Sequence, residues 1–443
     1  MSGNSQFAYY FQLALRSFKR NIVLTALMVL AIALGIGAAM TTLTVFYVLS
    51  GDPLPGKSHQ LFHPRLDPRA MNGYSPGDEP QDDMSRFDAE TLLREARGDR
   101  QAMMSSGNIA IEPRRDNLPA FRQDSRLTSA DFFPMFQVPF KYGSAWSRED
   151  DARRARVAVI GTKLNDRLFG GGNSVGKSIW LDQAEFRVVG VIENWHPQPN
   201  FYDLSSGDRG FGGPEELFVP FTTSRDVRMN PQGSIDCWGN DNVDDEGNRS
   251  VNAKCSWLQY WVELGTPEKV AAYKQYLENY SAQQRAAGRF ERPTAPKLDN
   301  VMQWLDFKRA VPGDVRLQVW LAFGFLLVCL LNTVGLLLAK FLRRSGEIGV
   351  RRALGATRRA IFAQCLVEAG TIGLAGGLLG LVLAQLGLWA VRQQPVSYAA
   401  LARLDPTMLF TTFALAVVAS VLAGLLPAWR ACQVTPAIQL KSQ

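Results

Sequence analysis

Charge is missing from four long stretches of this 443-residue chain. Residues 22–49, 317–339 and 407–429 carry no charged side chain, and neither does 369–391, which follows Glu368. Each run reaches the roughly 20 helical residues that span a hydrocarbon core. One soluble core does not need four such runs, so a wholly soluble protein is excluded and four transmembrane helices are predicted. The first run would be about 42 Å long as a helix, so part of it is expected to project beyond the bilayer. No small-residue cleavage site follows it at the right distance, which excludes a signal peptide.

Histidine is scarce too, with three in the chain. His59 and His63 stand four apart, a zinc-like spacing, but Pro64 and its Pro-rich surroundings argue against the helix that would align them. The only other imidazole is His196. No Ser/His/Asp or Cys/His arrangement with supporting context is found. Neither enzymatic chemistry nor a metal site is indicated.

What charge there is has been placed unevenly. Outside residues 51–316 there are 14 basic and 3 acidic side chains, a net +11, and inside them 34 and 38, a net −4. Arg16, Lys19 and Arg20 flank the first apolar run, and Lys340, Arg343, Arg344, Arg351, Arg352, Arg358 and Arg359 fill the segment between the second and third. The positive-inside rule puts both segments, and both termini, in the cytoplasm, and residues 51–316 outside. The basic pI of about 9.2 is therefore a topology signal and does not point to nucleic acid.

The predicted fold class is a multi-pass α-helical membrane protein, four transmembrane helices with a large mixed α+β domain inserted between helices 1 and 2. The expected spans are 22–50, 317–342, 363–391 and 407–429. Residues 1–21 are read as an interfacial helix, with Phe7, Tyr10, Phe11, Ala14, Leu15 and Phe18 at three- and four-residue spacings, or else a frayed terminus. Residues 51–316 form the outer domain, 343–362 a cytoplasmic loop, 392–406 a short outer loop and 430–443 a cytoplasmic tail.

Within the outer domain the Pro-, Gly- and Asp-rich beginning is expected to be irregular, followed by a helix within 86–100. RVAVIG reads as a strand, TKLNDRLFG as a short helix, and SIWLDQ and FRVVGVIEN as two strands joined by a turn. LFVPF and WLQYWVEL are further strands, and 267–287 is a helix capped by Thr266. Cys237 and Cys255 bracket a polar segment, and an oxidising compartment makes a disulfide between them the default. Closing a ring of about 19 residues would contribute roughly 3 kcal/mol. The acids Asp241, Asp244, Asp245 and Glu246 in that loop suggest a calcium site as an alternative, but EF-hand spacing is lacking. Cys329, Cys365 and Cys432 read as packing residues of the membrane helices.

Between the second and third spans lies SGEIGVRRALGATRRAIFAQCLVE, residues 345–368. Ser345 reads as a helix cap, Glu347 suits the first turn, Arg351 and Arg352 suit the last, and Gly355 is a left-handed terminator. Thr357 then caps the next helix. Arg358 and Arg359 stand at that helix's start, where positive charge is disfavoured, so they answer to lipid head groups or to Glu368. Inside the spans Asn332 is polar and Glu368 ionisable. An intramembrane acid is a functional candidate, or it pairs at the interface with Arg358 or Arg359. Gly373/Gly377 and Gly376/Gly380 give the third span two overlapping small-xxx-small spacings, a packing face.

Residues 171–178, GGNSVGKS, satisfy a phosphate-loop pattern. Such a loop must leave a strand and open a helix, and here a helix precedes and a strand follows. It is read as a Gly-rich turn.

The order of one span, a large outer domain, three spans and a basic cytoplasmic loop resembles the MacB/FtsX-like permeases of ABC transporters. Asn332 and RRSGEIGVRRALGA at 343–356 look like that family's signature, with Glu368 as its downstream acid. RVAVIGTKLNDRLFGGGNSVGKSIWLDQAEFRVVGVIEN is similar to the MacB-type periplasmic core, and PAWRACQVTPAIQL to the closing segment. The resemblance implies a permease without a fused ATPase in the inner membrane, so that ATP and magnesium belong to two copies of a separate ATPase and no cofactor to this chain. It implies a second permease copy or a paralogue, and an expected periplasmic adaptor and outer-membrane channel. Gly346, Glu347, Ile348, Gly349, Val350, Arg351, Arg352, Ala353, Leu354, Gly355 and Ala356 would form the coupling helix that docks on the ATPase. The cargo expected is a peptide, lipopeptide, siderophore or antibiotic-like molecule taken from the periplasm. The alternatives are a lipoprotein-extracting permease and an FtsX-like signal transmitter that controls a cell-wall hydrolase.

Overall fold

The computed structural model describes residues 21–113, 118–204, 208–239, 246–394, 399, 402–404 and 406–433. The helix expected over residues 5–20, and the acids Asp241, Asp244 and Asp245, lie outside these. The chain divides into two compact units, residues 1–50 with 311–443, and residues 51–310. Among the described residues four helices are long and apolar enough to cross a membrane, and the first of them, α1, is Ile22–Ser50.

The inserted unit begins with β1 (Leu61–Arg65), α2 (Arg86–Glu95), β2 (Arg100–Ile111), β3 (Phe121–Thr128), α3 (Phe132–Met135) and β4 (Phe140–Gly143). It continues through β5 (Val157–Gly161), α4 (Thr162–Phe169), β6 (Ser178–Leu181), β7 (Ala184–Ile192), β8 (Leu217–Pro220), β9 (Cys255–Glu263), α5 (Pro267–Ala286) and β10 (Lys297–Asn300). The strands follow one path, β10-β1-β9-β2-β3-β8-β5-β7-β4, and β6 pairs with β7. Pairing is antiparallel except at β3–β8 and β5–β7. Every residue of β9 is buried. Successive side chains serve different cores, Tyr260 and Val262 in one and Trp261 in the other, which is why the strand reads as a nearly unbroken apolar run. The β6–β7 hairpin turns on Asp182 and Gln183, both with positive φ, as a two-residue primed turn needs. At α5 the Thr266 hydroxyl accepts from the Lys269 N–H at 3.4 Å, with Pro267 in the first turn.

The irregular beginning expected for this unit is corrected by β1, which sits between β9 and β10. Pro64 hid it from sequence reasoning. Its missing N–H is tolerated because pairing with β9 covers only Leu61 and Phe62. His63 is buried on this strand, with Nδ1 2.8 Å from the Tyr260 carbonyl and Nε2 2.8 Å from the Asp82 carbonyl. Both ring nitrogens are thus engaged by backbone, and His59 is exposed. Strand β2 also escaped prediction, since RQAMMSSGNIAI shows no regular alternation.

In the other unit α1 is joined by α6 (Gly313–Arg343), α7 (Ser345–Ala353), α8 (Arg358–Arg392) and α9 (Pro406–Cys432). Helices α6, α8 and α9 all extend past the expected spans, and Pro427 lies inside α9. Helix α1 packs on α6 and α8, and α9 packs on both of these as well. Met28, Ile32, Ile36, Leu326, Ile372 and Ala416 are among the side chains of their shared core.

In the inserted unit Cys237 and Cys255 are joined, their Cα atoms 4.1 Å apart, and they face each other as a cross-strand pair. The sequence between them is mostly polar. Thiol-specific labelling of the unreduced, denatured chain should therefore modify Cys329, Cys365 and Cys432 and miss the other two. Mass spectrometry that finds all five labelled would refute the link.

Candidate functional site

The segment between α6 and α8 is built from two helix ends and a short helix. Arg344 breaks α6 from α7, with φ −101° and ψ 10°. Ser345 is consequently the first helical residue of α7 and not its cap, because no side chain caps this end. The other end closes as the sequence suggests. The Ala356 N–H donates to the Arg351 carbonyl at 3.0 Å and the Gly355 N–H to the Arg352 carbonyl at 3.1 Å, with Gly355 at φ +100°. This double bond is a Schellman cap, which needs a residue at ease in the left-handed region. The Thr357 hydroxyl then accepts from the Ala360 N–H at 3.2 Å and opens α8.

Glu368, one turn of helix or more inside α8, is 3% exposed. Its carboxylate lies 2.8 Å from Lys340 Nζ and 3.1 Å from an Arg344 guanidinium nitrogen. Lys340 is itself 1% exposed. The expected partners Arg358 and Arg359 are corrected: both are exposed and make no ion pair among the described residues. The reason is axial distance, since ten residues of one helix separate Arg358 from Glu368 by about 15 Å. Lys340 and Arg344 instead project from one face of the neighbouring helix end, four residues apart. That spacing was visible in the sequence, but nothing there showed which cations faced α8.

Arg344 also ties α7 into this site. Its guanidinium donates to Glu347 at 3.2 and 3.4 Å. Burial pulls the Arg344 guanidinium down, but hydrogen bonding to Glu347 and the charges of Glu368 and Glu347 outweigh it and raise its pKa above that of an ordinary arginine. Arg351 continues the chain of contacts, 3.3 Å from Glu347 and 3.0 Å from Gln364 of α8. Arg352 reaches the carbonyl of Cys432 at the end of α9, 3.5 Å away. Gly349 is buried, Ile348 and Ala356 pack on the membrane core, and Gly346, Ala353 and Gly355 are exposed. Val350 and Leu354 are left outward, 59% and 83% exposed and one turn apart. A short helix held by polar contacts to Arg344, α8 and α9 thus presents an apolar ridge among the described residues.

The glycines of α8 divide between two partners. A Cβ at Gly373 or Gly377 would meet Ser420 at 1.8 Å or Ala416 at 2.5 Å on α9, whereas one at Gly376 or Gly380 would meet Ile32 at 2.7 Å or Ile36 at 3.1 Å on α1. The two overlapping spacings therefore serve two faces. Asn332 is not brought to this site: it is exposed on the outward side of α6. The phosphate-loop pattern falls between the end of α4 and the start of β6, with Gly171 and Gly176 both at φ +89° and Lys177 lying over the Phe169 ring. No helix begins there.

A model of the MacB-like periplasmic core domain matches residues 25–280, and one of the FtsX-like permease C-terminal region matches residues 319–436. The chain belongs to the MacB/FtsX-like permease family. Over 98% of its length it is 26% identical to the macrolide export ATP-binding/permease protein MacB of Wolinella succinogenes. Over 71% it is 25% identical to the pyoverdine export ATP-binding/permease protein PvdT of Pseudomonas aeruginosa. The chain spans 60% and 42% of the length of these two relatives. Among solved structures, the periplasmic region of MacB from Actinobacillus actinomycetemcomitans aligns with 56% of this chain and 92% of that one, at 14% identity and a TM-score of 0.35. In this MacB/FtsX-like permease Asn332, Glu368, α7 and the four packing glycines all fall within the range of the second model.

Helix packing offers a clean contrast inside α8. A Cβ at Gly370 would meet nothing within 4 Å, unlike one at Gly373. Gly370→Ala should leave the melting temperature of the detergent-solubilised chain unchanged or slightly raised, since alanine is favoured over glycine in a helix by up to ~1 kcal/mol. Gly373→Val should abolish recovery of monodisperse protein. Equal behaviour of the two in a size-exclusion thermal-shift assay would show that α8 and α9 do not approach at Gly373.

Proposed function

We propose that this chain is the permease subunit of a MacB-like ABC transporter, in which α7 receives the motion of a separate ATPase and passes it to α6 and α8. The supporting observation is the arrangement around Glu368. The short helix is tied to α8 by Arg344 and Arg351 and to α9 by Arg352, while its Val350–Leu354 ridge stays exposed among the described residues. A helix that only connected two spans would need neither feature. Helices α1 and α6 are continuous in sequence with the inserted unit, so a shift of α6 has a covalent route towards residues 51–310.

On this reading the basic segment and both termini face the cytoplasm, the membrane is the bacterial inner membrane, and residues 51–316 are periplasmic. ATP and magnesium are bound by two copies of the partner ATPase, a second permease completes the pair, and a periplasmic adaptor with an outer-membrane channel receives the cargo. Relatives named for macrolide and pyoverdine export support a peptide, lipopeptide, siderophore or antibiotic-like molecule as that cargo.

Two variants test the reading. Val350→Glu with Leu354→Glu changes only outward side chains, so the chain should fold normally, yet co-purification with its ATPase should fall at least tenfold. Retention of the ATPase by that variant would remove α7 as the docking element. Lys177→Ala should leave the ATPase turnover of the complex within twofold of the parent, and a loss of nucleotide binding to this subunit alone would revive the phosphate-loop pattern.

A further inference from the structure

The buried arginines of the inserted unit come with carboxylates. Arg65 meets Glu79 and Asp299 at 3.1 and 2.9 Å, and Arg126 meets Asp203 at 2.8 Å together with Glu215. A desolvated cation needs such a partner, because burial penalises its charged form. Arg225 departs from the rule. It lies in the last turn of the short helix Phe221–Asp226, half-buried, and donates to the Met229 carbonyl. Its Nε is buried without a hydrogen-bond partner, and no carboxylate pairs with it among the described residues.

Its neighbours deepen the deficit. The guanidinium carbons of Arg225 and Arg86 each stand 5.9 Å from the centroid of the Phe221 ring. Burial pulls the Arg225 guanidinium down to about 10, with repulsion from Arg86 and Arg249 adding to it and Glu246 partly offsetting it. At neutral pH the group therefore keeps its charge. The nearby acids serve other cations: Arg86 holds Glu90 at 2.7 Å and also Glu246, and Arg154 holds Asp226 at 3.0 Å. Arg249 has Asn230 at 3.0 Å and a buried, unpartnered Nε, and Arg94 has the Thr91 hydroxyl at 3.3 Å. Five guanidinium groups thus gather around three carboxylates, although residues 51–316 as a whole carry more acids than bases.

A cavity of about 450 Å³ opens among these groups, lined by Arg86, Arg94, Arg154 and Arg225 together with Leu93 and Phe221. We propose that it is a binding site for an organic anion, a phosphate or carboxylate group carried on a compact apolar body. Arg225 is the half-buried counter-charge, and Arg94 and Arg154 are exposed at the rim. A guanidinium presents its donors in a planar fork that fits the oxygens of either group. The volume falls within the roughly 300–1,000 Å³ of small-molecule pockets, and Leu93 and Phe221 offer contacts that a bare inorganic ion would not use. All of these residues belong to one unit of the chain. The site does not depend on the permease reading, so the two stand or fall separately.

The test titrates the full chain, in an uncharged detergent, with phenyl phosphate and follows the heat of binding. The parent should bind saturably and more weakly as salt is added. Arg225→Gln should weaken binding about tenfold or more, the loss expected for a hydrogen bond between charged groups. Arg94→Glu with Arg154→Glu alters only exposed side chains, so the chain should fold normally and still lose affinity by at least as much. Phenol should not bind, and inorganic phosphate should bind at least tenfold more weakly than phenyl phosphate. Displacement of phenyl phosphate by dihexanoyl phosphatidic acid would support a lipid head group as the natural anion, and its failure to compete would support a soluble one. Absence of binding by the parent, or equal binding by the doubly reversed variant, would overturn the site. Binding that appears only after Asp241, Asp244 and Asp245 are replaced by asparagine would also overturn it, by making those acids the counter-charge.

Discussion

The membrane unit depends on one buried carboxylate. Glu368 is buried within α8, a helix apolar enough to cross a membrane, and an isolated charge there is expensive. Lys340 and Arg344 offset that cost by bringing two cations from the adjacent helix end to within hydrogen-bond reach. Burying such a group is weak evidence for net stability, because desolvation takes back much of the Coulomb attraction. It is stronger evidence for position. The three charges are satisfied only if the end of α6, the start of α8 and the break at Arg344 keep one arrangement. Arg344 serves Glu368 and Glu347 together, so the same guanidinium that neutralises the intramembrane acid orients α7.

Close packing supplies the stiffness this arrangement needs. Membrane helices gain no hydrophobic drive from meeting one another, and close backbone approach has to replace it. Helix α8 manages this twice, towards α9 through Gly373 and Gly377 and towards α1 through Gly376 and Gly380. Helix α6 also packs against α1 and α9, so the four long helices share one connected core. Packed interiors transmit strain because they compress little.

Much of this was legible from residues alone, and the boundary between read and unread follows the physics. The spans declare themselves because hydrocarbon excludes charge over a length that no soluble helix needs. Gly355 and Thr357 declare the ends of α7 and the start of α8 because left-handed backbone and orphan N–H groups each admit few residue types. Strand β1 did not show itself, since LFHPR is short, contains proline and is buried on both sides, which removes the alternation that marks a strand. The partners of Glu368 were misassigned for a related reason. Sequence distance favours Arg358 and Arg359, but partner choice is decided by which helix lies alongside, and that is a tertiary fact.

Asn332 and Glu368 make the sharpest comparison, two polar side chains in apolar helices with opposite outcomes. The acid is fully provided for inside its own chain, by cations that arrive from α6. The amide lies on the same α6, on a side that is exposed among the described residues. An unpaired charge would have been far more costly than an unpaired amide. A chain can therefore enter the membrane with the amide unpaired, whereas the acid needs its partners from the start. Helix α6 carries both conditions, closed on the face that holds Lys340 and open on the face that holds Asn332.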